Sequence, residues 1–231
     1  MRTGDGVGSK AIHLGVLLGL IFLLVLGCRS LPQEEKQETE KQWICPEFAD
    51  LPLRQGRFDE AIEQHVQVLT QEPGNALSYY HLGYAYGQLG LYTEEVETYL
   101  QAVELGLERG DLFYNLGMAY SELREYERAE QAFIRAIEIE ADYGENYRAL
   151  GLVHCKQEHF HEAIEACRQA VKLDPEDPDA WHCLAMALAK VDKVGESRAA
   201  LQQLRRLAPS YQLDPVLLKL FPVESGGESY E

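Results

Sequence analysis

The chain repeats itself every 34 residues, and no other feature limits its folding so strictly. Gly83, Gly117 and Gly151 stand 34 apart, and Ala185 continues the series. Leu82, Leu116, Leu150 and Leu184 keep the same step, as does a column of aromatics, Tyr79, Phe113, Tyr147 and Trp181. Later in each unit Ala102, Ala136 and Ala170 are in register, as are Ala61, Ala129 and Ala163. Pro73, Pro175 and Pro209 fall where one unit hands over to the next. A period held without insertion marks a stacked array, in which each unit buries its apolar face only against its neighbours.

Residues 110–143 show what the unit is. Phe113, Leu116, Gly117 and Tyr120 fall at i, i+3, i+4 and i+7, on one face of a helix. Tyr126, Ala129, Phe133 and Ala136 make a second such face. Gly117 and Ala129 remove bulk where the two axes come closest, and Tyr120 and Phe133 fill the space beside them. The pattern predicts two amphipathic helices joined by a tight turn, too short to be stable alone.

The motifs Tyr147-x2-Leu150-Gly151, Phe160-x2-Ala163, Ala170 and Pro175 resemble the tetratricopeptide repeat. So do Trp181-x2-Leu184, and Phe113-x2-Leu116-Gly117-x2-Tyr120 with Ala129, Phe133 and Ala136. The resemblance covers about 170 of 231 residues, from Gln42 to Tyr211, as five repeats. It implies an all-α fold, an α-solenoid of about five helix-turn-helix units. The sequence departs from the family at several places. Glu95 stands where alanine is preferred, which is expected to loosen the second repeat. Leu107 and Ala141 replace the handover proline. Pro46 and Pro52 restrict helix in the leading half of the first repeat, which is expected to be half-formed. After the solenoid (42–211), residues 212–222 are expected to form a short capping helix. Leu213, Leu217 and Leu220 or Phe221 would cover the end of the last repeat. Residues 223–231 read as a disordered acidic tail.

Residues 1–27 are set apart from this pattern. Arg2 and Lys10 precede an apolar run from Ala11 to Gly27, which reads as a signal peptide or membrane anchor. Leu24-Val25-Leu26-Gly27-Cys28 resembles the lipobox of bacterial lipoprotein signal peptides, although Leu26 is not the small residue usual at its place. The resemblance implies cleavage before Cys28 and acylation of its thiol and new N-terminus. Arg29, where an aspartate would retain such proteins at the inner membrane, implies the periplasmic side of the outer membrane in the bacterial cell envelope. An uncleaved anchor with cytoplasm-facing repeats, or plain secretion, are the alternatives. Residues 28–41 are polar and serve as a tether, spanning roughly 20 Å as flexible coil.

A formal charge of −17 argues against nucleic acid as a partner, since its phosphates would be repelled. The same acidic residues also simply solvate the outer helix faces. Phosphate-binding loops, G-x-S-x-G elbows and H-E-x-x-H motifs are absent from the sequence. His154, Cys155, His159, His161, Cys167, His182 and Cys183 gather in the fourth and fifth repeats, and a metal- or thiol-dependent enzyme is the rival reading. None of these pairs has finger-like spacing. His154 takes the place of Tyr120 in its repeat and Cys167 that of Phe133, so both read as core. No metal, cofactor, catalytic residue or small-molecule substrate is therefore assigned. Cys167 and Cys183 are the best-placed disulfide pair in an oxidising compartment, or else two small buried hydrophobes.

What remains is a binding surface. In the resembling family the first helix of each repeat lines a concave groove that takes partner segments. Here that face carries Tyr80, Tyr84 and Gln88, then Tyr114, Met118 and Glu122. It continues with Arg148, Leu152 and Lys156, and ends with His182, Met186 and Lys190. Tyr80 and Tyr84 replace the lysine and asparagine of a carboxylate clamp, which argues against a chaperone-tail ligand. The run from tyrosines to Arg148, Lys156 and Lys190 suits a protein or peptide segment with an apolar part and an acidic part. The competing reading is that the tyrosines only pack against neighbouring first helices. The expected function is a protein-interaction scaffold or assembly factor, not an enzyme, held at a lipid membrane through its N-terminus.

Overall fold

Turn chemistry repeats with the same period as the core. Residues 56, 90, 124, 158 and 192 all adopt the left-handed conformation, with φ between 59° and 73°. In every case the next residue donates its N–H five residues back, as Leu91 does to the Tyr86 carbonyl (3.0 Å) and Glu125 to that of Tyr120 (2.8 Å). This is the Schellman motif, which closes a helix by satisfying its last carbonyls. Gly56 and Gly90 adopt the conformation without strain, whereas Arg124, Glu158 and Asp192 carry a Cβ into it.

The computed structural model describes residues 44–220. The signal or anchor, Cys28, the tether and the acidic tail lie outside the described residues. Within them are eleven helices and no strand. In order these are α1 (Glu47–Arg54), α2 (Phe58–Gln71), α3 (Ala76–Gln88), α4 (Tyr92–Glu104), α5 (Gly110–Glu122), α6 (Tyr126–Ile139), α7 (Gly144–Lys156), α8 (Phe160–Leu173), α9 (Pro178–Lys190), α10 (Val194–Leu207) and α11 (Pro215–Leu220). The odd helices through α9 are the first helices of five repeats and the even ones the second. Asn75 caps α3 by accepting from the Ser78 N–H (2.9 Å), and Asp177 caps α9, with Pro178 preset for the first turn. No helix of the described residues is long and apolar enough to cross a membrane.

The glycine column is where the two helices of a repeat meet. A Cβ on Gly83 would stand 2.7 Å from the Tyr99 ring, one on Gly117 2.8 Å from the Phe133 ring, and one on Gly151 2.5 Å from the Cys167 sulfur. Tyr99, Phe133 and Cys167 are themselves 34 apart, so each crossing pairs a residue lacking a side chain with a buried partner that fills the gap. Cys167 and Cys183 are joined as a disulfide between α8 and α9, their Cα atoms 6.0 Å apart.

Glu95 does not loosen the second repeat. It is only 6% exposed, and Val96, Tyr99 and Ala102 beside it are buried as in the other units. Gly87 makes the room: a Cβ there would lie 2.5 Å from the Glu95 carboxylate. Burial pushes the Glu95 carboxyl up to about 7. The first repeat is truncated: α1 has 8 residues, with Pro46 at its N-cap and Pro52 buried inside its last turn. At the other end Leu217 of α11 is fully buried against the last repeat, with Leu213 half-buried beside it. At the handover where Leu107 stands in place of proline, Gly106 (φ 91°) makes an additional Schellman turn and Leu107 is fully buried.

Glu158→Gly is expected to stabilise the protein by about 0.5–1 kcal/mol, since the cost of a left-handed residue with a Cβ exceeds the entropy that glycine loses. Gly90→Ala should destabilise it by a similar amount, and thermal unfolding followed by circular dichroism measures both. The Glu95 carboxyl binds a proton in the folded state that the unfolded chain releases at lower pH. Stability therefore falls as pH rises from about 4.5 to 7 and stays low above that. Glu95→Gln should be the more stable protein at pH 8, by on the order of 1–3 kcal/mol. Melting curves of the two proteins should converge near pH 4.

Candidate protein-binding surface

Consecutive first helices touch one another, α1 to α3, α3 to α5, α5 to α7 and α7 to α9. Consecutive second helices do not approach as closely, and long side chains span the gap, as Arg168 does to Glu196 (2.8 Å). Crowding on one side and spreading on the other make the first-helix side the inner face of the array. The twelve residues read onto the groove face all lie on these helices, and the structure sorts them into three rows.

The first row is Tyr80, Tyr114, Arg148 and His182. Each is half-buried, and the first three reach forward to an acid at the start of the next first helix. The Tyr80 hydroxyl donates to Asp111 Oδ2 (3.2 Å) and the Tyr114 hydroxyl to Glu145 Oε1 (2.9 Å). Arg148 pairs with Asp177 through Nε (3.2 Å) and with Glu145 (2.9 Å). His182 packs against the Tyr211 ring (5.2 Å), and Tyr211 in turn donates to Asp179. Burial, reinforced by the facing carboxylates, raises the Tyr80 and Tyr114 hydroxyls well above the usual phenol value, so both stay donors. Arg109 lies over the Tyr80 ring (4.9 Å) and also holds Asp111 (2.9 Å). This row fastens repeat to repeat.

The second row is Tyr84, Met118, Leu152 and Met186, an apolar ladder at the 34-residue step. Tyr84 meets the edge of Phe58 (6.4 Å), Leu152 and Met186 are half-buried, and Met118 is 40% exposed. Exposed methionine on a curved face is an adaptable contact surface. The third row, Gln88, Glu122, Lys156 and Lys190, is exposed throughout, and its charge changes from acidic to basic along the array. Lys190 also lies 6.0 Å from the Phe160 ring. Next to the first row, a hollow of about 540 Å³ lies between the turn before α7 and the turn before α9. Its lining includes Asp142, Glu145, Asp174 and Asp177, with Arg148 as its cation.

The histidines and cysteines of the fourth and fifth repeats do not gather into one cluster. Cys167 and Cys183 are bonded to each other, Cys155 is separate, and His182 stacks on Tyr211. His154 and His159 come together with Glu130 of α6, while His161 faces a shallow hollow with Tyr147 and Leu150. The acids that receive the first row were not singled out from the sequence. Part of their signal was present, since Asp111 and Glu145 are 34 apart, while Asp177, which receives Arg148, falls two residues short of the next step.

Comparisons with known proteins fit this architecture. A family model described as TPR repeat matches residues 49–90, and one described as tetratricopeptide repeat matches residues 76–105. The model for anaphase-promoting complex, cyclosome, subunit 3 matches residues 122–204. No curated protein matches the sequence. Among solved structures, a crystal structure of MamA is 26% identical and superposes with a TM-score of 0.69, covering 72% of this chain and 97% of MamA. MamA 41-end from Desulfovibrio magneticus RS-1 is 22% identical, with a TM-score of 0.67, covering 71% of this chain and 93% of that one. YrrB, titled a TPR protein with an unusual peptide-binding site, is 23% identical, with a TM-score of 0.67, covering 77% of this chain and 93% of YrrB. The chain carries tetratricopeptide repeats, and its fold is an all-α tetratricopeptide-repeat solenoid similar to those of MamA and YrrB.

Proposed function

We propose that this protein is an interaction scaffold that takes an extended segment of a partner protein along its inner face. The observation that carries the reading is the apolar ladder of Tyr84, Met118, Leu152 and Met186, open to solvent at Met118. Lys156 and Lys190 at the far end favour an acidic continuation of the same segment. Tyr80, Tyr114, Arg148 and His182 act indirectly, because their forward contacts set the spacing between the helices that present the ladder. YrrB, which shares the fold, is titled for a peptide-binding site, so a fold of this kind accommodates such a ligand.

The second part of the proposal concerns place. The lipobox-like sequence ending at Cys28, followed by a polar tether, supports a lipoprotein held at the outer membrane of a bacterial cell envelope, with the solenoid on the periplasmic side. Several acyl chains would hold it firmly, whereas a single chain binds only marginally. Residues 1–43 lie outside the described residues, so this part rests on sequence.

A labelled peptide with an apolar half and an acidic half is expected to bind the full chain. The Tyr84→Ala/Met118→Ala double variant should weaken it by at least about tenfold, in line with loss of two buried contacts. Equal binding by the variant in fluorescence anisotropy would remove the ladder from the function. Intact mass after expression in a Gram-negative host should show a chain starting at Cys28 with added acyl mass, which a Cys28→Ser variant loses. A full-length chain retaining Met1 would make residues 11–27 an uncleaved anchor instead.

A further inference from the structure

The first repeat breaks the apolar columns of the array in a pattern of its own. Cys45 occupies the column of Tyr79, Phe113, Tyr147 and Trp181. Asp50 occupies that of Tyr84, Met118, Leu152 and Met186, and His65 that of Tyr99, Phe133, Cys167 and Leu201. Three positions that are apolar in the other repeats have thus been exchanged for side chains that ligate metals. They converge, together with His81 from the second repeat. One ligand atom from each of Cys45, Asp50, His65 and His81 lies within 4.8 Å of every other. Asp50 Oδ1 is 2.9 Å from His81 Nδ1 and 3.7 Å from His65 Nε2, the second too long for a hydrogen bond. The two imidazole rings meet edge to face at 5.2 Å.

His65 is the decisive member. It is fully buried, and neither of its ring nitrogens has a hydrogen-bond partner among the described residues. A buried imidazole left in that state is costly, and its Nε2 lies 3.7 Å from the Asp50 carboxylate of the same cluster. Cys45 has a companion of the kind that metal thiolates use, the buried Ser78 hydroxyl at 3.3 Å.

We propose that Cys45, Asp50, His65 and His81 form a structural zinc site that fastens the truncated first repeat to the second. One thiolate, one carboxylate and two imidazoles from four separate segments make a closed tetrahedral set for Zn²⁺. Bond lengths of about 2.0–2.3 Å place tetrahedral ligands roughly 3.3–3.7 Å apart, so the widest pairs, within 4.8 Å, close by up to about 1.5 Å while the Asp50–His81 pair, at 2.9 Å, opens by about 0.4 Å. The ion does what the missing side chains do elsewhere. With α1 cut to 8 residues and bounded by Pro46, the first repeat has little apolar surface to hold it, and the metal supplies the crosslink. Binding releases the proton of the Cys45 thiol to solvent, and His81 takes the tautomer protonated on Nε2, its Nδ1 proton exchanging through solvent, so that Nδ1 can hold the metal.

The test uses the full chain purified in detergent after zinc loading and desalting, with metal measured by mass spectrometry. About one zinc per chain is expected, falling at least about tenfold in Cys45→Ser and in His81→Ala, and unchanged in His159→Ala, which removes the Glu130–His154–His159 group. Cobalt loaded in place of zinc should give the visible bands of a tetrahedral ion and a thiolate-to-metal charge-transfer band that Cys45→Ser abolishes. His65→Phe restores the residue type of the Phe133 column, and should keep the fold by circular dichroism while losing the metal. Wild-type protein without zinc after loading, cobalt lacking the thiolate band, or zinc that survives Cys45→Ser but disappears in His159→Ala would each overturn the proposal.

Discussion

The fold rests on one contact repeated at a fixed step, a first helix without a side chain against a buried partner on the second. Gly83 against Tyr99, Gly117 against Phe133 and Gly151 against Cys167 set how closely each pair of helices can cross. A solenoid has no common centre, so this local distance is handed on from unit to unit. Where the pair changes, a neighbour compensates. Glu95 takes an alanine position and is admitted by Gly87, at the cost of keeping a carboxyl where burial opposes its charge.

A second set of contacts converts the stack into a surface. Tyr80, Tyr114 and Arg148, on α3, α5 and α7, each reach forward to an acid at the start of the next first helix, so these inner helices are held in register by polar groups. Much of the acidic excess on this face is therefore occupied. The apolar ladder beside that row makes no such forward bonds, and in the proposed function it is the part of the inner face that takes the partner. Surface ion pairs of the outer helices, such as Arg135 with Glu108 and Glu138, are exposed on both sides and add little to stability.

The repeat, the helix pairs and the inner face were legible because each depends on residue spacing, which a sequence states directly. Three things were not. The left-handed turn position was hidden because only Gly56 and Gly90 advertise it, while Arg124, Glu158 and Asp192 adopt the same conformation as the Schellman bonds require. Tyr80, Tyr114 and Arg148 read as groove residues, but their partners sit about thirty residues ahead, across a whole repeat, and the pairing emerges only when repeats stack. The cluster of Cys45, Asp50, His65 and His81 follows no local ligand spacing, since its members are 5, 15 and 16 residues apart. Attention to the more obvious cysteines and histidines of the fourth and fifth repeats leads away from it, because two of those cysteines form a disulfide.

The central claim is that the inner face, and not the outer one, meets the partner. The most direct measurement places a photocrosslinking residue at Met118 of α5, at Leu152 of α7, or at Ile134 of α6, which is 41% exposed on an outer helix. Crosslinking in cells should give the same adduct from Met118 and Leu152, lost when Tyr84→Ala is added, and none from Ile134. An adduct from Ile134 with none from Met118 or Leu152 would contradict the account and move the binding surface to the second helices.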